Sequence, residues 1–377
     1  MFASFKNIEH LLETISNYND HSKNFLTLAS ALGVLIIITY SICLTFRVIQ
    51  LLRLYVFSQL CCKTDFTKKY GKWAVISGST DGIGQSMAKE LARRGMSIIV
   101  VARNEEKLAK TKAMLEREPN VGEVETVKVD LSDPSMENFD KVRAQIDPDN
   151  RDIGLLINNA GSFPDRYARF NRFDMEEIVS IVNLNVLGTL HLTRMIMPGM
   201  IERGRGLVMN VSSILGEMPG PYFNVYGATK SFVNAFTRQL QMEYGSHPID
   251  IILLQPGPVS TKQLIATSKV SDPSFLIPSA DDFARTSINA LSTRIQCYTG
   301  AMVHEFMKSQ SRIFTCLGLI SSITKFLVIM NGKKPELSPV PKRKKVQLVS
   351  AQEDRPLAGS ATDTPMHMTS SEFGANK

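Results

Sequence analysis

Between about residue 71 and residue 305, short apolar runs rich in β-branched residues alternate with stretches in which apolar residues recur at helical spacing. Continuously apolar runs are typical of strands that are buried on both faces, and helices between successive strands favour a parallel sheet. The pattern therefore predicts an α/β domain with a doubly wound parallel sheet, whose ligands bind at the carboxyl ends of the strands. The predicted strands are residues 73–78, 97–103, 124–130, 154–161, 206–213 and 250–257, and the predicted helices between them include 83–94, 104–117, 174–201 and 223–244.

A different pattern precedes this domain, because residues 25–46 form an apolar run without a charged side chain. A helix of this length measures about 33 Å, which is enough to cross a hydrocarbon core of roughly 30 Å. Residues 1–24 carry two cations, whereas residues 47–72 carry six. The positive-inside rule then places the domain in the cytosol. We expect a short N-terminal flank (1–24), a transmembrane helix (25–46) and a basic juxtamembrane linker (47–70).

After the domain, residues 306–330 form another largely apolar segment, which is most continuous over 313–330 and is interrupted by Lys325. If this segment crossed the membrane, the basic stretch after it would lie on the opposite side from the first basic flank. We therefore favour an interfacial or re-entrant helix, or a part of an apolar substrate entrance. Residues 331–377 are basic at first and then polar, and we expect them to be disordered.

Charge and cysteine content narrow the classes of function. The net charge of +7 is located in the flanks, since residues 47–72 and 331–345 each carry a net charge of +5 and the remainder is slightly negative. Nucleic acid is therefore not expected as a partner. The five cysteines do not suggest a disulfide framework, and His191 and His304 lack the spacing of metal ligands, so no metal site is predicted.

The first predicted strand runs directly into the glycine-rich stretch GSTDGIG, which is followed by a predicted helix. Glycines at these positions let the chain turn tightly and let backbone N–H groups approach a pyrophosphate, while the helix N-terminus adds partial positive charge. The motif predicts a dinucleotide site in a Rossmann-type fold. The candidate cofactor contacts in this stretch are Gly78, Ser79, Asp81, Gly82, Ile83 and Gly84.

The choice of dinucleotide depends on the end of the second predicted strand, where Arg103 stands. An acidic side chain there would bind the ribose 2′-OH of NAD, whereas an arginine suits the 2′-phosphate of NADP(H), which we therefore expect. Glu105 and Glu106 follow closely, but at the start of a helix they also complement the helix dipole. Asp130, at the end of the third strand, can accept from the adenine amino group or serve as a turn or helix cap in DLSD.

The stretch VYGATKSF holds Tyr226 and Lys230 one helical turn apart, which places both side chains on one helix face. A lysine ammonium beside the phenol would lower its pKa from about 10, so that Tyr226 can exchange a proton with a carbonyl or alcohol oxygen. Ser213, at the end of the fifth strand, can hold that oxygen, and Asn185 can fix a water that passes protons to Lys230. Ser212 and Asn183 are the neighbouring alternatives.

These motifs together resemble the short-chain dehydrogenase/reductase superfamily over about residues 71–305. The resemblance rests on GSTDGIG, NNAG at 158–161, Asn185 in NLNVLG, the Ser213, Tyr226 and Lys230 set, and PGPVST at 256–261. It implies that Asn185, Ser213, Tyr226 and Lys230 are the catalytic residues. It also implies cofactor contacts from Asn159, Tyr226, Lys230, Pro256, Gly257, Val259 and Thr261.

A narrower resemblance is carried by YGKWAVISGSTDGIG, ARNEEKL, MPGMIERGRGLVMNVSS and the apolar N-terminus, which are similar to the membrane-bound branch of 17β-hydroxysteroid dehydrogenases and very-long-chain 3-oxoacyl-CoA reductases. This implies NADP(H)-dependent conversion of a lipophilic carbonyl substrate in the endoplasmic reticulum membrane, with a mitochondrial membrane as the alternative, and a homodimer formed through helices 174–201 and 223–244.

Parts of the lead-in most resemble one group of that branch, the hydroxysteroid dehydrogenase-like protein 1 group. Its members are regarded as inactive because Phe replaces the catalytic Tyr. Tyr226 is present here, yet the resemblance leaves a second hypothesis, a catalytically silent nucleotide-binding or scaffold protein at the membrane.

Overall fold

Seven strands form one parallel sheet in the computed structural model of the chain, which describes residues 2–61, 64–146, 151–164, 166, 168–218, 220–268 and 273–316. The strand order is β3-β2-β1-β4-β5-β6-β7, and every neighbouring pair is parallel. The strands are β1 (Trp73–Ser77), β2 (Ser97–Ala102), β3 (Val124–Lys128), β4 (Ile153–Asn158), β5 (Leu207–Val211), β6 (Asp250–Leu254) and β7 (Cys297–Tyr298).

Helices cover both faces of this sheet, and two separate hydrophobic clusters pack between helices and sheet. Every residue of β1, β4 and β5 is buried, which explains why these strands are continuously apolar in sequence. The helices are α1 (Phe2–Leu52), α2 (Ser58–Cys61), α3 (Phe66–Lys69), α4 (Gly82–Arg93), α5 (Glu105–Leu115), α6 (Met136–Ile146), α7 (Met175–Val182), α8 (Gly188–Glu202), α9 (Asn224–Glu243), α10 (Lys262–Ser268), α11 (Ala280–Ala290) and α12 (Met302–Cys316).

The prediction of a doubly wound parallel sheet is confirmed, and each of the six predicted strands overlaps an observed one. β7 was not predicted, because two residues are too few to show a hydrophobic period. The strand order reverses between β1 and β4, so the crevice for a ligand lies at the carboxyl ends of these two strands. Gly78 and Asn159 follow β1 and β4 directly and therefore stand at this crevice.

Among the described residues, one helical stretch, Lys23–Leu60, is long and apolar enough to cross a membrane by length and composition. Its large apolar side chains are exposed in the predicted transmembrane part, as in Ile36 and Ile37, each 66% accessible. Such exposure suits a helix that is surrounded by lipid.

The stretch 47–70, predicted as a basic linker, is largely helical and packs on the α/β domain. α1 continues into a π-helical turn at Arg53–Phe57 and then into α2. Leu54, Phe66 and Tyr70 belong to the hydrophobic cluster on one face of the sheet. Described residues of this stretch thus pack against the domain from more than one element, and the domain boundary at residue 71 stays a prediction.

At the other end of the domain, α12 crosses the predicted boundary at residue 305 and continues to Cys316. The rest of the predicted apolar segment, 317–330, and the predicted tail, 331–377, lie outside the described residues.

Candidate active site

The glycine-rich turn between β1 and α4 has the backbone that the motif requires. Gly78 has φ +64°, a left-handed conformation that favours glycine. A Cβ on Gly84 would lie 2.5 Å from the carbonyl oxygen of Gly78, so only glycine lets the first turn of α4 approach the end of β1 this closely. The turn therefore forms a cradle in which backbone N–H groups at a helix N-terminus are open to a phosphate.

Three other residues of the turn have local structural roles. The Ser79 hydroxyl is buried and donates to the carbonyl oxygen of Ile76 at 2.7 Å. The Asp81 carboxylate caps α4 by accepting from the backbone N–H of Gly82 at 2.8 Å. Ile83 packs against the hydrophobic cluster. Because these side chains are already engaged, any cofactor contact from Ser79, Asp81 or Ile83 would come from their backbone.

Asn159 fastens β4 to this turn. Its side-chain amide donates to the carbonyl oxygens of Ser77 and Gly78, each at 3.1 Å. The Ser77 hydroxyl in return accepts from the backbone N–H groups of Asn159 and Ala160, each at 3.0 Å. Asn159 thus fixes the shape of the turn, which is an indirect contribution to a dinucleotide site.

A pocket of about 530 Å³ lies beyond the ends of β2 and β3 and contains both Arg103 and Asp130. Burial opposes ionisation of Asp130, but hydrogen bonds from the backbone N–H and hydroxyl of Ser132, together with Arg103, lower the pKa of this carboxyl. Asp130 therefore has the turn role that the sequence left open. The pocket is lined by Arg103, Asn104, Lys128, Val129, Asp130 and Asn138.

Lys128 is a pocket residue that sequence reasoning missed. Its ammonium lies 2.7 Å from the Glu105 carboxylate, at the first turn of α5. Its position in the sequence could have indicated this role. Lys128 is the last residue of β3, and β3 pairs with β2, which ends directly before Arg103. The pocket thus carries two cations beside the single carboxylate of Asp130.

At the carboxyl end of β5, Ser213 and Tyr226 come together. The Ser213 hydroxyl is hydrogen-bonded to the Tyr226 phenol and also accepts from the backbone N–H of Leu215 at 3.1 Å. Ser212 is turned away, and its hydroxyl donates to the backbone carbonyl of Lys230 at 2.9 Å. The geometry supports Ser213, and not Ser212, as the serine that faces the phenol.

The Lys230 ammonium is buried beneath Tyr226, and it donates to the carbonyl oxygen of Val211 at 2.9 Å. Burial raises the pKa of Tyr226 to about 12, and the hydrogen bond from Ser213 lowers it only in part. Burial also lowers the pKa of Lys230 to about 8. The predicted lowering of the Tyr226 pKa is therefore wrong for this structure, because desolvation of the phenol outweighs the hydrogen bond from Ser213.

Asn185 is almost fully buried in a π-helical turn, Asn183–Leu187, that interrupts the single helix predicted over 174–201. Its amide oxygen accepts from the backbone N–H of Ser162 at 2.7 Å. A Cβ on Gly161 would lie 3.3 Å from both the Asn185 Oδ1 and the Lys230 Nζ, so these two side chains flank one backbone position. The Asn183 amide instead donates to the carbonyl oxygen of Ser132 at 3.0 Å, which supports Asn185 over Asn183.

Two neighbours of this group were not predicted. The Thr229 hydroxyl accepts from the Asn185 amide at 2.9 Å and donates to the backbone carbonyl of Tyr226 at 2.8 Å, so it ties two candidate catalytic residues together. The Phe163 ring meets the Tyr226 ring edge-on, with 4.8 Å between centroids, and lies 5.7 Å from the Phe223 ring. Thr229 directly precedes Lys230 and Phe163 follows NNAG by two residues, but neither spacing alone indicates these contacts.

The loop after β6 closes the other side of the glycine-rich turn. Val259 is buried, and the Thr261 methyl group lies 3.0 Å from the position that a Cβ on Gly82 would occupy. The two residues thus stand between β6 and the first turn of α4, where the family resemblance implies cofactor contacts. Within the described part of the chain, no group of three His, Cys, Asp or Glu side chains is arranged to hold a metal ion.

The amino-acid sequence is similar to those of several known dehydrogenases and reductases. The very-long-chain 3-oxoacyl-CoA reductase of Mus musculus is 35% identical over 65% of this chain and 76% of its own length. The 17-beta-hydroxysteroid dehydrogenase type 3 of Danio rerio is 36% identical over 64% of this chain and 76% of its own. The hydroxysteroid dehydrogenase-like protein 1 of Gallus gallus is 33% identical over 66% of this chain and 75% of its own. The narrower resemblance predicted from the motifs is confirmed.

Solved structures with the same fold include two that contain NADPH. A short-chain dehydrogenase from Sphingobium yanoikuyae in complex with NADPH is 26% identical, with a TM-score of 0.56 over 66% of this chain and 94% of that one. The L-sorbose reductase of Gluconobacter frateurii, complexed with NADPH and L-sorbose, is 26% identical, with a TM-score of 0.55 over 62% of this chain and 97% of that one.

The family profile described as short chain dehydrogenase matches residues 72–271, more than half of the chain. This range contains both the glycine-rich turn and the Ser213, Tyr226 and Lys230 cluster. The chain therefore belongs to the short-chain dehydrogenase family, and it is an oxidoreductase of that family by fold and by sequence.

Proposed function

We propose that this protein is an NADP(H)-dependent oxidoreductase that interconverts a carbonyl and an alcohol on a lipophilic substrate, a 17-ketosteroid or a 3-oxoacyl-CoA. The observation that carries this proposal is the hydrogen bond between Ser213 and Tyr226, above a buried Lys230, at the carboxyl end of β5. An acid paired with a hydrogen-bonding hydroxyl, close to a phosphate-binding turn, is the minimum that proton-coupled hydride transfer requires of a protein.

The roles follow from the contacts. Since its pKa is about 12, Tyr226 holds its proton at neutral pH and is suited to donate it to a carbonyl oxygen, which favours reduction. Ser213 would hold that oxygen beside the phenol. Lys230, with a pKa of about 8, is poised to return a proton to Tyr226. Asn185 would act by fixing the backbone at Ser162 and, through Thr229, the helix that carries Tyr226.

The residues present fit a nicotinamide dinucleotide. Gly84 lets the first turn of α4 pack directly on the end of β1, where the N-terminus of this helix suits a phosphate. Arg103 and Lys128 in the neighbouring pocket suit the charge of a 2′-phosphate better than the neutral ribose of NAD. The two NADPH-bound relatives in structure are in keeping with this choice. When bound, the cofactor would supply the hydride for reduction or accept it for oxidation.

A lipophilic substrate is favoured by the apolar rings around Tyr226. The Phe163 ring contacts the Tyr226 ring and stands next to the Phe223 ring, and Phe275 and Leu276, between α10 and α11, are 89% and 52% exposed. Binding of a steroid or an acyl chain is favourable when it removes such apolar side chains from water. The names of the relatives, very-long-chain 3-oxoacyl-CoA reductase and 17-beta-hydroxysteroid dehydrogenase type 3, point to the same chemical class.

We place the protein in the endoplasmic reticulum membrane with its catalytic domain in the cytosol. The candidate span and the cations that follow it support a membrane anchor and this orientation. A mitochondrial membrane is the alternative that the sequence leaves open. A homodimer formed through residues 174–201 (α7 and α8) and 223–244 (α9) stays a prediction from the family resemblance.

The test uses the full-length protein in nanodiscs, with NADPH and a panel of 3-oxoacyl-CoAs and 17-ketosteroids. We expect oxidation of NADPH, followed as loss of absorbance at its long-wavelength band, with at least one member of the panel. NADPH binding without oxidation by any of them would contradict the proposal and favour the silent nucleotide-binding or scaffold protein.

A further inference from the structure

The cytosolic end of the membrane helix, residues 47–61, is built into the α/β domain. Leu54 and Ser58, one helical turn apart, are 1% and 4% exposed. The Gln59 side chain accepts from the Asn289 amide of α11 at 2.7 Å and donates to the carbonyl oxygen of Thr286 at 3.4 Å. These contacts pack the end of the helix against the domain in a defined position.

Arg47, the first charged residue after the predicted span, forms an ion pair with Glu305 in the first turn of α12. Glu305 is only 4% exposed. Its carboxylate also accepts from the backbone N–H of Thr299 at 3.0 Å and from the Tyr55 hydroxyl at 3.5 Å. Arg47 and Tyr55, two of these three donors, come from the helix end 47–61, and removal of the cation would leave a buried carboxylate without its charged partner.

The residue before Glu305 contacts a different part of the domain, the loop after β6. His304 is completely buried, and its Nε2 lies 3.0 Å from the carbonyl oxygen of Pro258. A carbonyl oxygen can only accept, so this nitrogen carries the proton. A Cβ on Gly257 would lie 2.6 Å from the His304 ring, which shows that the ring packs directly on the loop backbone.

This loop leads into Val259 and Thr261, the residues next to the glycine-rich turn. α12 thus presents one side chain to the membrane helix and the adjacent one to the wall of the cofactor crevice. Both His304 and Glu305 bond through their backbone N–H to the carbonyl oxygen of Ala301, at 3.1 and 3.2 Å, so they belong to one tight helical turn. A shift of that turn moves both side chains together.

We propose that Arg47 and Glu305 are positioning residues for the cofactor. The ion pair holds the first turn of α12, that turn holds His304, and His304 holds the 256–261 loop in the shape that receives the nicotinamide end of the dinucleotide. This inference rests on the cofactor assignment made under the proposed function. The inference makes the cytosolic end of the membrane helix a structural part of the cofactor site. A chain truncated so that it lacks Arg47 as well as the span would therefore lose affinity for NADPH in addition to its membrane anchor.

The experiment compares Arg47→Met and Glu305→Gln with wild type in full-length protein reconstituted in nanodiscs, and titrates NADPH by its fluorescence. Arg53→Met is the matched control, since the Arg53 guanidinium donates to the carbonyl oxygen of Thr293 at 3.0 Å and so joins the same helix end to the turn after α11 rather than to α12. We expect about fivefold weaker NADPH binding in R47M and E305Q, and unchanged binding in R53M. The double variant should bind no more weakly than either single one, because both remove the same pair.

Arg47→Lys should recover most of the affinity lost in R47M, since it keeps a cation at the pair. Unchanged NADPH affinity in R47M, or an equal loss in R47M and R53M, would overturn the inference. The Arg47 side chain is 45% exposed, so R47M is expected to fold. It therefore tests the inference even if E305Q fails to fold. Wild type that binds NADPH but reduces no carbonyl would count against the proposed function alone, whereas wild type that does not bind NADPH would overturn both.

Discussion

The Lys230 ammonium lies 5.8 Å from the centroid of the Tyr226 ring and is bonded to the carbonyl oxygen of Val211. The hydrogen-bond partner of the Tyr226 hydroxyl is Ser213. Burial therefore sets the protonation of both groups, and the phenol remains an acid at neutral pH. Under the proposed function, Tyr226 would deliver the proton to the carbonyl oxygen and Lys230 would return one to Tyr226.

Tyr226→Phe should remove catalysis and leave cofactor binding intact. The change deletes only the hydroxyl, and a positioned general acid contributes about 10²- to 10⁴-fold to the rate. We expect kcat for carbonyl reduction to fall by about 10³-fold, while the Kd for NADPH stays within twofold. Steady-state kinetics and NADPH fluorescence titration measure the two quantities separately.

Tyr222→Phe is the control for that change, because Tyr222 lies one turn earlier in sequence but has a left-handed backbone outside α9. It should keep kcat within a factor of two or three. Equal losses in the two variants would show that Tyr226 acts through packing and not as an acid.

The parts of the site that follow a local pattern were predictable from sequence. The glycine-rich turn, Ser213 at the end of β5 and the Tyr226–Lys230 pair each occupy a fixed place relative to one strand or one helical turn. Backbone geometry fixes such relationships, so a sequence is sufficient to find them.

Features that depend on tertiary packing were not predictable in this way. The direction of the Tyr226 pKa shift is set by burial under residues distant in sequence, Phe163 among them. The π-helical turn that inserts Asn185 has no hydrophobic period of its own. The docking of residues 47–61 was hidden because cations on the exposed side of a helix resemble those of a solvated linker.

Arg103→Ala should weaken NADPH binding and leave NADH binding unchanged. Loss of a charge-assisted contact to the 2′-phosphate costs about 1.5–3 kcal/mol, which corresponds to a rise of about 10- to 100-fold in the Kd of NADPH. Titration of both dinucleotides measures the ratio. Lys128→Met should give a smaller effect in the same direction, because Glu105 already neutralises part of its charge.

The control for these variants is Lys141→Met, since Lys141 pairs with Glu137 on the exposed side of α6, away from the pocket. It should leave both affinities unchanged. A loss of NADH affinity in R103A equal to that of NADPH would contradict a role at the 2′-phosphate.

Thr229→Val should lower kcat through Asn185 without touching substrate or cofactor. The isosteric change removes the acceptor of the Asn185 amide and the donor to the Tyr226 carbonyl. We expect about a tenfold loss of kcat, since displacement of a catalytic group by a fraction of an ångström is costly, and a loss of about 1–3 kcal/mol in the free energy of unfolding.

Thr237→Val tests whether that loss of activity is specific. Thr237 is buried on the same helix, where it accepts from the Asn210 amide at 2.9 Å and donates to the carbonyl oxygen of Val233 at 2.7 Å. The two variants therefore remove similar hydrogen bonds, one beside the site and one away from it. Similar destabilisation with kcat reduced only in T229V supports the role of Thr229, and equal kcat in both would refute it.

Lys230→Met should stabilise the fold while it abolishes activity, and the gain should depend on pH. Burial lowers the pKa of Lys230 from its ordinary 10.5 to about 8. Below pH 8 both the folded and unfolded chains carry the proton, so the folded state bears the full cost of a buried ammonium. Between pH 8 and 10.5 the unfolded chain binds the proton more strongly than the folded one, and stability of the wild type therefore rises with pH.

The methionine variant has no such titration. We expect K230M to exceed wild type by about 2 kcal/mol in the free energy of unfolding at pH 7, after allowance for the unpaired Val211 carbonyl, and to lose this advantage by about pH 10.5. Urea unfolding followed by Trp73 measures it, since this buried residue of β1 is the single tryptophan of the chain. If the free energies of unfolding of wild type and K230M differ by the same amount at pH 7 and at pH 10, the pKa of Lys230 is not lowered in the folded state.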